Sequence, residues 1–509
     1  MREPRTATES YLPHPVRLAL VSFFHSSQKT VTVSIVLLAI ALFWLAPITS
    51  SLWLDETGTV WAIHGTLGDT VNRAFHPGQP SVLFSIVMWL TVALGGLREI
   101  TLRMPSLMAS LIAAACVYRL ARRFCDTERS ILAAGLFTTY GTVVFAAGDA
   151  RPYALALMCV VGALLMLVKW CETGWLAWGF GCVLLTALAV YFHYLCATVL
   201  LLYLHYLAIQ GRVLRPRKTH LWSMGALLSL FLLLLAPHAM LLWRLRREHS
   251  FSGMPEIRDV LDAFIYYRLA GGIVIGLIAA RFLFPDFAIR RQTLLTKSHG
   301  FLLSWYLGPI LILLVTSLSS EAKLFVPRYY IWGVPGVAIL AASILSAVHP
   351  LPARRVVGLL ILVAFCARRV PAGDAGHGGQ DWRGAIRAAQ SVMQSSNATL
   401  LLRSGFPELP INGPGKRSPS EEPLMAPLAM YPVSGRVLMA PCWLDDADRA
   451  RLEKVVSALL PQRAKLLYIS PSDFPYTSVW LQGRLSGAGY RSSSLGDFQG
   501  ITAMQFVPE

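Results

Sequence analysis

Apolar residues in this chain gather into long runs between Val31 and Ala367, separated by short polar or basic connections. A hydrocarbon core about 30 Å thick is crossed by roughly twenty helical residues at about 1.5 Å each. The pattern therefore predicts about eleven spanning helices. They fall at 31–50, 104–121, 130–147, 153–170, 176–192, 194–210, 221–242, 260–283, 300–318, 329–348 and 355–370. One more apolar stretch, Ser81 to Leu97, fits either a span or a helix lying at the interface.

After Val370 the pattern changes. Pro371 to Gln380 is Gly-rich, Asp381 to Gln394 reads as a capped helix, and Thr399 to Leu402 reads as a strand. Asp445 to Leu460 reads as a second helix and Lys465 to Ser470 as a buried strand. The expected organisation is a polar tail at 1–28, a membrane domain at 29–370 and a small α/β domain at 371–509.

Composition agrees with the pattern. Of 509 residues, 55% are apolar and 14% charged, against about 25% charged in ordinary soluble proteins. A cytosolic enzyme is excluded, and so is an outer-membrane barrel, whose strands alternate and lack such runs.

Lys and Arg number 45 against 28 Asp and Glu, a net +17. In a soluble chain this excess would suggest nucleic acid, but in a multi-pass protein loop cations first set topology. With the N-terminus inside and 81–97 not crossing, the inner loops hold Arg122, Arg123 and Arg129, then Arg212, Arg215, Arg217 and Lys218. Arg290, Arg291, Lys297, Arg354 and Arg355 complete the inner set. Were 81–97 to cross, every cluster would flip, so it is read as an interfacial helix in the first outer loop.

The same parity puts 371–509 outside. Arg2, Arg5, Arg17, Pro13 and Pro15 make the first 28 residues unlike a cleavable signal. The first span is expected to act as an anchor in a bacterial inner membrane. Only Cys442 of eight cysteines lies in the C-terminal region, and no C-x-x-C pair occurs. An internal disulfide there and a structural zinc site are not expected.

Candidate chemistry lies in the outer loops. Asp55 and Glu56 directly follow the first span, where an ion is costly unless it serves a purpose. A partly desolvated Asp55 suits a general base; the alternative is a helix N-cap followed by a first-turn acid.

His76 precedes a Pro-Gly-Gln-Pro turn, and alone it reads as a polar loop residue as readily as a metal or phosphate contact. Asp149, Arg151 and Tyr153 sit at an outer mouth, where Arg suits phosphate through its planar fork; an Asp–Arg pair anchoring helix ends is the rival. His193 with Tyr194, and Lys323 with Arg328, Tyr329 and Tyr330, sit at other outer helix ends, where aromatic and basic anchors are common. Arg244, Arg246 and Arg247 break the charge rule by facing outward, as an anionic-headgroup site would require.

Taken together, SLWLDETGT (51–59), HPGQPSVLF (76–84), residues 97–124, GDARPYALALM (148–158), YFHYL (191–195), PRYYIWGVPGVAIL (327–340) and DWRGAIRAA (381–389) resemble the GT-C integral-membrane glycosyltransferases. The branch is that of protein O-mannosyltransferases and lipid A aminoarabinose transferases. Gly78 stands where that family commonly has a second proline, and Gly148-Asp149 where it usually has a Gln-Glu pair.

The resemblance implies an inverting transfer of sugar from a polyprenyl-phosphate donor to an extracytoplasmic glycan, lipid or protein, within the lipid bilayer and without nucleic acid. Asp55 and Glu56 would be catalytic. Arg151, Tyr153, Lys323, Arg328, Tyr329, Arg244, Arg246 and Arg247 would hold the donor phosphate or lipid. His76, Asp149, His193 and Tyr194 would contact substrate or a metal, with a divalent cation one further source of positive charge. The competing class is a transporter or flippase of a lipid-linked or anionic solute, which places ionisable groups nearer the bilayer midplane.

Overall fold

The computed structural model describes residues 28–75, 81–210, 225–237, 254–290, 297–320, 323–368, 377–406, 423–441, 444–473 and 475–509. Their contacts divide them into two compact units. One comprises 28–44, 106–147 and 152–368; the other comprises 45–105, 148–151 and 377–509.

The chain is largely helical. Lys29–Thr49, Glu99–Ala121, Tyr153–Thr173 and Lys297–Ser319 are each long and apolar enough to cross a membrane. Two further stretches are bent pairs: Thr127–Thr139 with Gly141–Ala147 at 67°, and Ile257–Phe264 with Tyr267–Leu283 at 49°. The runs expected at 130–147 and 260–283 are therefore broken within. In the first unit Tyr140 at one break stacks on Tyr266 at the other, ring centres 4.2 Å apart. Leu176–Phe192, Tyr194–Ile209, Gly225–Pro237 and Ile331–Ala347 are shorter apolar helices. A short ribbon, β1 (Ala288–Ile289) antiparallel to β2 (Val348–His349), connects two of the helical segments.

Close helix packing in this unit depends on small residues. On Tyr267–Leu283 a Cβ at Gly272 would lie 2.8 Å from the Ile361 Cα, and one at Gly276 would lie 3.0 Å from the Val357 Cα. Two glycines one turn apart let this helix lie backbone to backbone against Leu351–Cys366. Gly272→Val is expected to destabilise the protein by about 1–3 kcal/mol through overpacking. A melting temperature in detergent equal to that of the natural chain would refute this.

In the second unit the first-loop helices Leu54–Ile63, Leu67–Arg73 and Val82–Gly95 fold with a five-stranded sheet. Val82–Gly95 begins at Ser81, whose hydroxyl accepts from Phe84 N, and stops at Gly96 with φ 75°. Its 14 residues are about 21 Å long, short of a core of about 30 Å.

The sheet order is β4 (Arg436–Met439), β3 (Thr399–Leu402), β5 (Leu466–Pro471), β7 (Ile501–Pro508), β6 (Tyr490–Ser494). The pairs β3–β4 and β3–β5 are parallel, while β7 runs antiparallel to β5 and β6. Alternate side chains feed opposite cores. Leu400, Leu402, Leu467 and Ile469 pack with Trp382 and Ile386 of helix Trp382–Ser395. Leu401, Leu466 and Tyr468 pack with Leu452 and Val456 of Asp446–Leu459 and Leu481 of Pro475–Ser486. Helices on both faces explain why these strands are continuously apolar. Asp381 and Asp445 cap their helices by accepting from Gly384 N and Asp448 N, both at 2.8 Å.

The sheet is tied to the first loop. Leu54 packs against the first core, and Phe406 joins Trp61, Ala62 and Ala426 in a third cluster.

Candidate active site

The acidic residues after the first helix are held by an extensive set of bonds within the second unit. Trp53 is extended (φ −88°, ψ 174°) and starts the helix Leu54–Ile63, which places Asp55 and Glu56 in its first turn. The two carboxylates have different surroundings. Asp55 is partly exposed, and its carbonyl accepts from Arg151 Nη1 at 3.4 Å. Glu56 is fully buried.

The partner of Glu56 is Arg103, also fully buried. Glu56 Oε1 accepts from Arg103 Nε at 2.8 Å and Ala150 N at 2.9 Å. Oε2 accepts from Arg103 Nη2 at 2.6 Å and Trp53 N at 3.2 Å. The remaining guanidinium protons reach the carbonyls of Pro47, Ile48, Ser50 and Ser51 at 2.8–3.1 Å. Burial opposes the charge on Glu56, yet the Arg103 guanidinium holds its carboxyl below the ordinary range.

Asp149 is the counterpart. Oδ1 accepts from Trp53 Nε1 at 3.0 Å and lies 3.6 Å from His377 Nε2. Oδ2 is buried without a hydrogen-bond partner among the described residues. Burial, aided by the charge of Glu56 and partly opposed by His377, pushes the Asp149 carboxyl above its ordinary range.

Glu56, Asp149 and His377 offer ligand atoms within 4.8 Å of one another. They do not fit a divalent cation, because each Glu56 oxygen already accepts two donors and Arg103 lies against it. Asp149 and His377 alone would leave such an ion short of protein ligands.

Titration follows from the signs. The raised Asp149 contributes stability that is present below its ordinary value of 3.8 and lost as pH rises through the raised one. The lowered Glu56 contributes stability present above 4.5 and lost as pH falls through the lowered value. Asp149→Asn keeps an acceptor for Trp53 and cannot ionise. Its melting temperature is expected to exceed that of the natural chain at pH 8, with the advantage disappearing near pH 4. A difference independent of pH would contradict the assignment.

The first unit carries an aromatic group centred on His193. The helix Leu176–Phe192 ends at this residue, which is extended (φ −152°) before the turn Tyr194–Thr198. Its ring centre lies 5.3 Å from Tyr153, 5.3 Å from Tyr329, 5.5 Å from Tyr194 and 5.7 Å from Trp332. Trp332 Nε1 donates to Thr198 Oγ1 at 3.1 Å. The Arg328 guanidinium lies over the Tyr329 ring at 5.5 Å, a cation–π arrangement. Lys323 Nζ donates to Ser317 O at 3.0 Å and Ser320 O at 2.9 Å, capping the end of Lys297–Ser319.

Asp55, Glu56, Asp149 and Arg151 thus come together in one unit, and Tyr153, His193, Tyr194, Arg328 and Tyr329 in the other. His76, Arg244, Arg246 and Arg247 lie outside the described residues. Arg103, His377 and Trp53 were not singled out from sequence. For Arg103 the available signal was a cation opening an apolar run, where a charge requires a partner.

Residues 76–241 match the family model described as dolichyl-phosphate-mannose-protein mannosyltransferase. No curated protein matches the chain significantly in sequence. Among solved structures, ArnT from Cupriavidus metallidurans in the apo state is similar at TM-score 0.56 and 14% identity, covering 94% of this chain and 98% of that one. The same protein bound to undecaprenyl phosphate gives TM-score 0.56, 12% identity and coverages of 93% and 97%. The apo oligosaccharyltransferase of Archaeoglobus fulgidus gives TM-score 0.50, 11% identity and coverages of 98% and 75%.

Over nearly its whole length the chain shares the fold of these membrane proteins, and its residues 76–241 match that family model. Its helices are those of a multi-pass membrane protein.

Proposed function

We propose that the chain moves a sugar from a polyprenyl-phosphate carrier to an acceptor on the extracytoplasmic side of a bacterial inner membrane. The N-terminus would be cytoplasmic and the C-terminal domain outside. The observation that carries the chemistry is the contrast between adjacent carboxylates: Glu56 is fully buried and bonded to Arg103, while Asp55 beside it is partly exposed on a tightly held helix. Similarity to ArnT bound to undecaprenyl phosphate supports the class of donor.

Asp55 accepts the proton of an acceptor hydroxyl or amine as that group attacks the anomeric carbon. The new bond forms on the face opposite the phosphate, and the old C–O bond breaks with its electron pair going to the phosphate oxygen. Configuration inverts, and polyprenyl phosphate leaves as an anion that needs no strong acid. It does need fixed positive charge. Arg151, in the unit that carries Asp55, is one source of it, and the resemblance assigns Tyr153, His193, Tyr194, Arg328 and Tyr329 to donor or substrate as well. Glu56, Arg103 and Asp149 serve to fix the loop rather than to touch substrate.

The test is mass spectrometry of glycolipids, glycans and glycoproteins from cells lacking the protein. An accumulated polyprenyl-phosphate sugar names the donor, and a missing glycan names the acceptor. Finding no accumulated polyprenyl-phosphate sugar and no missing glycan would refute the proposal.

A further inference from the structure

The five residues before Asp55 are gripped, one after another, by the C-terminal part of the chain. Ser50 Oγ accepts from His377 N and Ser51 Oγ from Arg383 N, both at 3.0 Å. Leu52 N donates to the Tyr431 hydroxyl at 2.9 Å. Trp53 lies against Gly378, whose φ is 71° and where an added Cβ would come within 2.4 Å of the indole side chain. Leu54 N donates to Gln380 Oε1 at 2.9 Å.

Helix starts leave N–H groups without intrahelical partners; here the N-cap side chain makes no capping bond, and the local help is Glu56 Oε2, which accepts from Trp53 N. The other acceptors come from hundreds of residues away, and they are themselves fixed. Gln380 Oε1 also accepts from Trp382 Nε1 at 3.1 Å, and Trp382 is fully buried in the sheet's core. The Tyr431 hydroxyl donates to Glu99 Oε1 at 3.2 Å, and Arg383 Nη1 reaches the same oxygen at 3.2 Å. Burial raises the Tyr431 phenol above its ordinary range, so it remains a donor at physiological pH.

We propose that Gln380 and Tyr431 are positioning residues, through which the C-terminal domain sets the direction of Asp55. The proposal rests on Asp55 being the base. A base must meet its proton within hydrogen-bond reach, and a misplacement of about 1 Å can cost about a hundredfold in rate. An α/β domain bonded to the lead-in of the catalytic helix therefore acts on turnover rather than on donor affinity.

The experiment uses the full chain in lipid nanodiscs, with Gln380→Ala, Gln380→Glu, Tyr431→Phe and Asp55→Asn in parallel. Hydrogen exchange is followed over 50–56 and over β3 and β5, and kcat and KM are measured with the polyprenyl-phosphate sugar that accumulates in cells lacking the protein. In Gln380→Ala and Tyr431→Phe we expect faster exchange at 50–56, unchanged exchange in the strands and kcat lower by about tenfold or more, with KM within about twofold. Gln380→Glu keeps an acceptor oxygen and is expected to restore both.

Unchanged exchange at 50–56 would overturn the grip. Faster exchange with unchanged kcat, or an effect confined to KM, would overturn the positioning role. So would a Gln380→Glu variant as poor as Gln380→Ala. Full activity in Asp55→Asn would overturn the base reading and the positioning with it. An inactive Asp55→Asn beside a fully active Gln380→Ala would overturn the positioning alone.

Discussion

Asp55→Asn is expected to lower sugar transfer by about 10²–10⁴-fold, the usual contribution of a general base, while leaving the protein folded. Asparagine has the same shape and keeps its place in the first turn, and the neighbouring bonds of Glu56 do not involve the Asp55 side chain. Loss should therefore appear in kcat, with donor binding and melting temperature close to those of the natural chain. The measurement is transfer in membranes at saturating donor. Retained activity would rule out Asp55 as the base.

Arg103→Ala is expected to have the largest effect on stability. The fully buried Glu56–Arg103 pair is satisfied on every side, and removing only the cation strands a carboxylate in the interior. Breaking such a pair from one side costs about 3–5 kcal/mol. The carbonyls of Pro47, Ile48, Ser50 and Ser51 lose their donor as well.

Arg103→Lys should rescue little, since one ammonium cannot reproduce a fork that bonds both carboxylate oxygens and the turn beside them. Thermal unfolding and protein yield measure this. A variant as stable as the natural chain would mean that Glu56 finds another donor or a proton. The paired variant Arg103→Leu with Glu56→Leu offers a further check, because replacing both partners removes the stranded charge and should cost less than Arg103→Ala alone.

The fold class was legible because membrane helices and buried strands announce themselves by local pattern. The apolar runs gave the helical class, and Asp381 and Asp445 marked two helix starts that the structure keeps. The strands at Thr399–Leu402 and Leu466–Pro471 also fall where the β-branched and aliphatic runs put them. Breaks were not legible: the bend at Tyr140 interrupts apolar sequence without proline or a charge, and that at Ile265–Tyr266 falls on apolar and aromatic residues between Asp262 and Arg268. Those bends are accompanied by aromatic stacking between residues far apart in the chain, which local periodicity does not encode.

The acidic motif at 55–56 was visible as two carboxylates beside a span, but their division of labour was not. It depends on Arg103, 47 residues away, and on Asp149 and His377 further still. Likewise Gln380 and Tyr431 look like ordinary polar residues of a loop and a helix end until the lead-in to Asp55 is seen against them.

These separations set an order of assembly during synthesis. Arg103 emerges soon after Glu56, and Asp149 next, but Gln380 follows Leu54 by 326 residues. At about 5–20 residues per second, that gap corresponds to roughly a quarter of a minute to a minute. For that interval the newborn chain carries Asp55, the proposed base, but lacks the residues proposed to aim it. A ribosome that stops short of the C-terminal sheet would leave a membrane-inserted product whose Asp55 is present and misdirected.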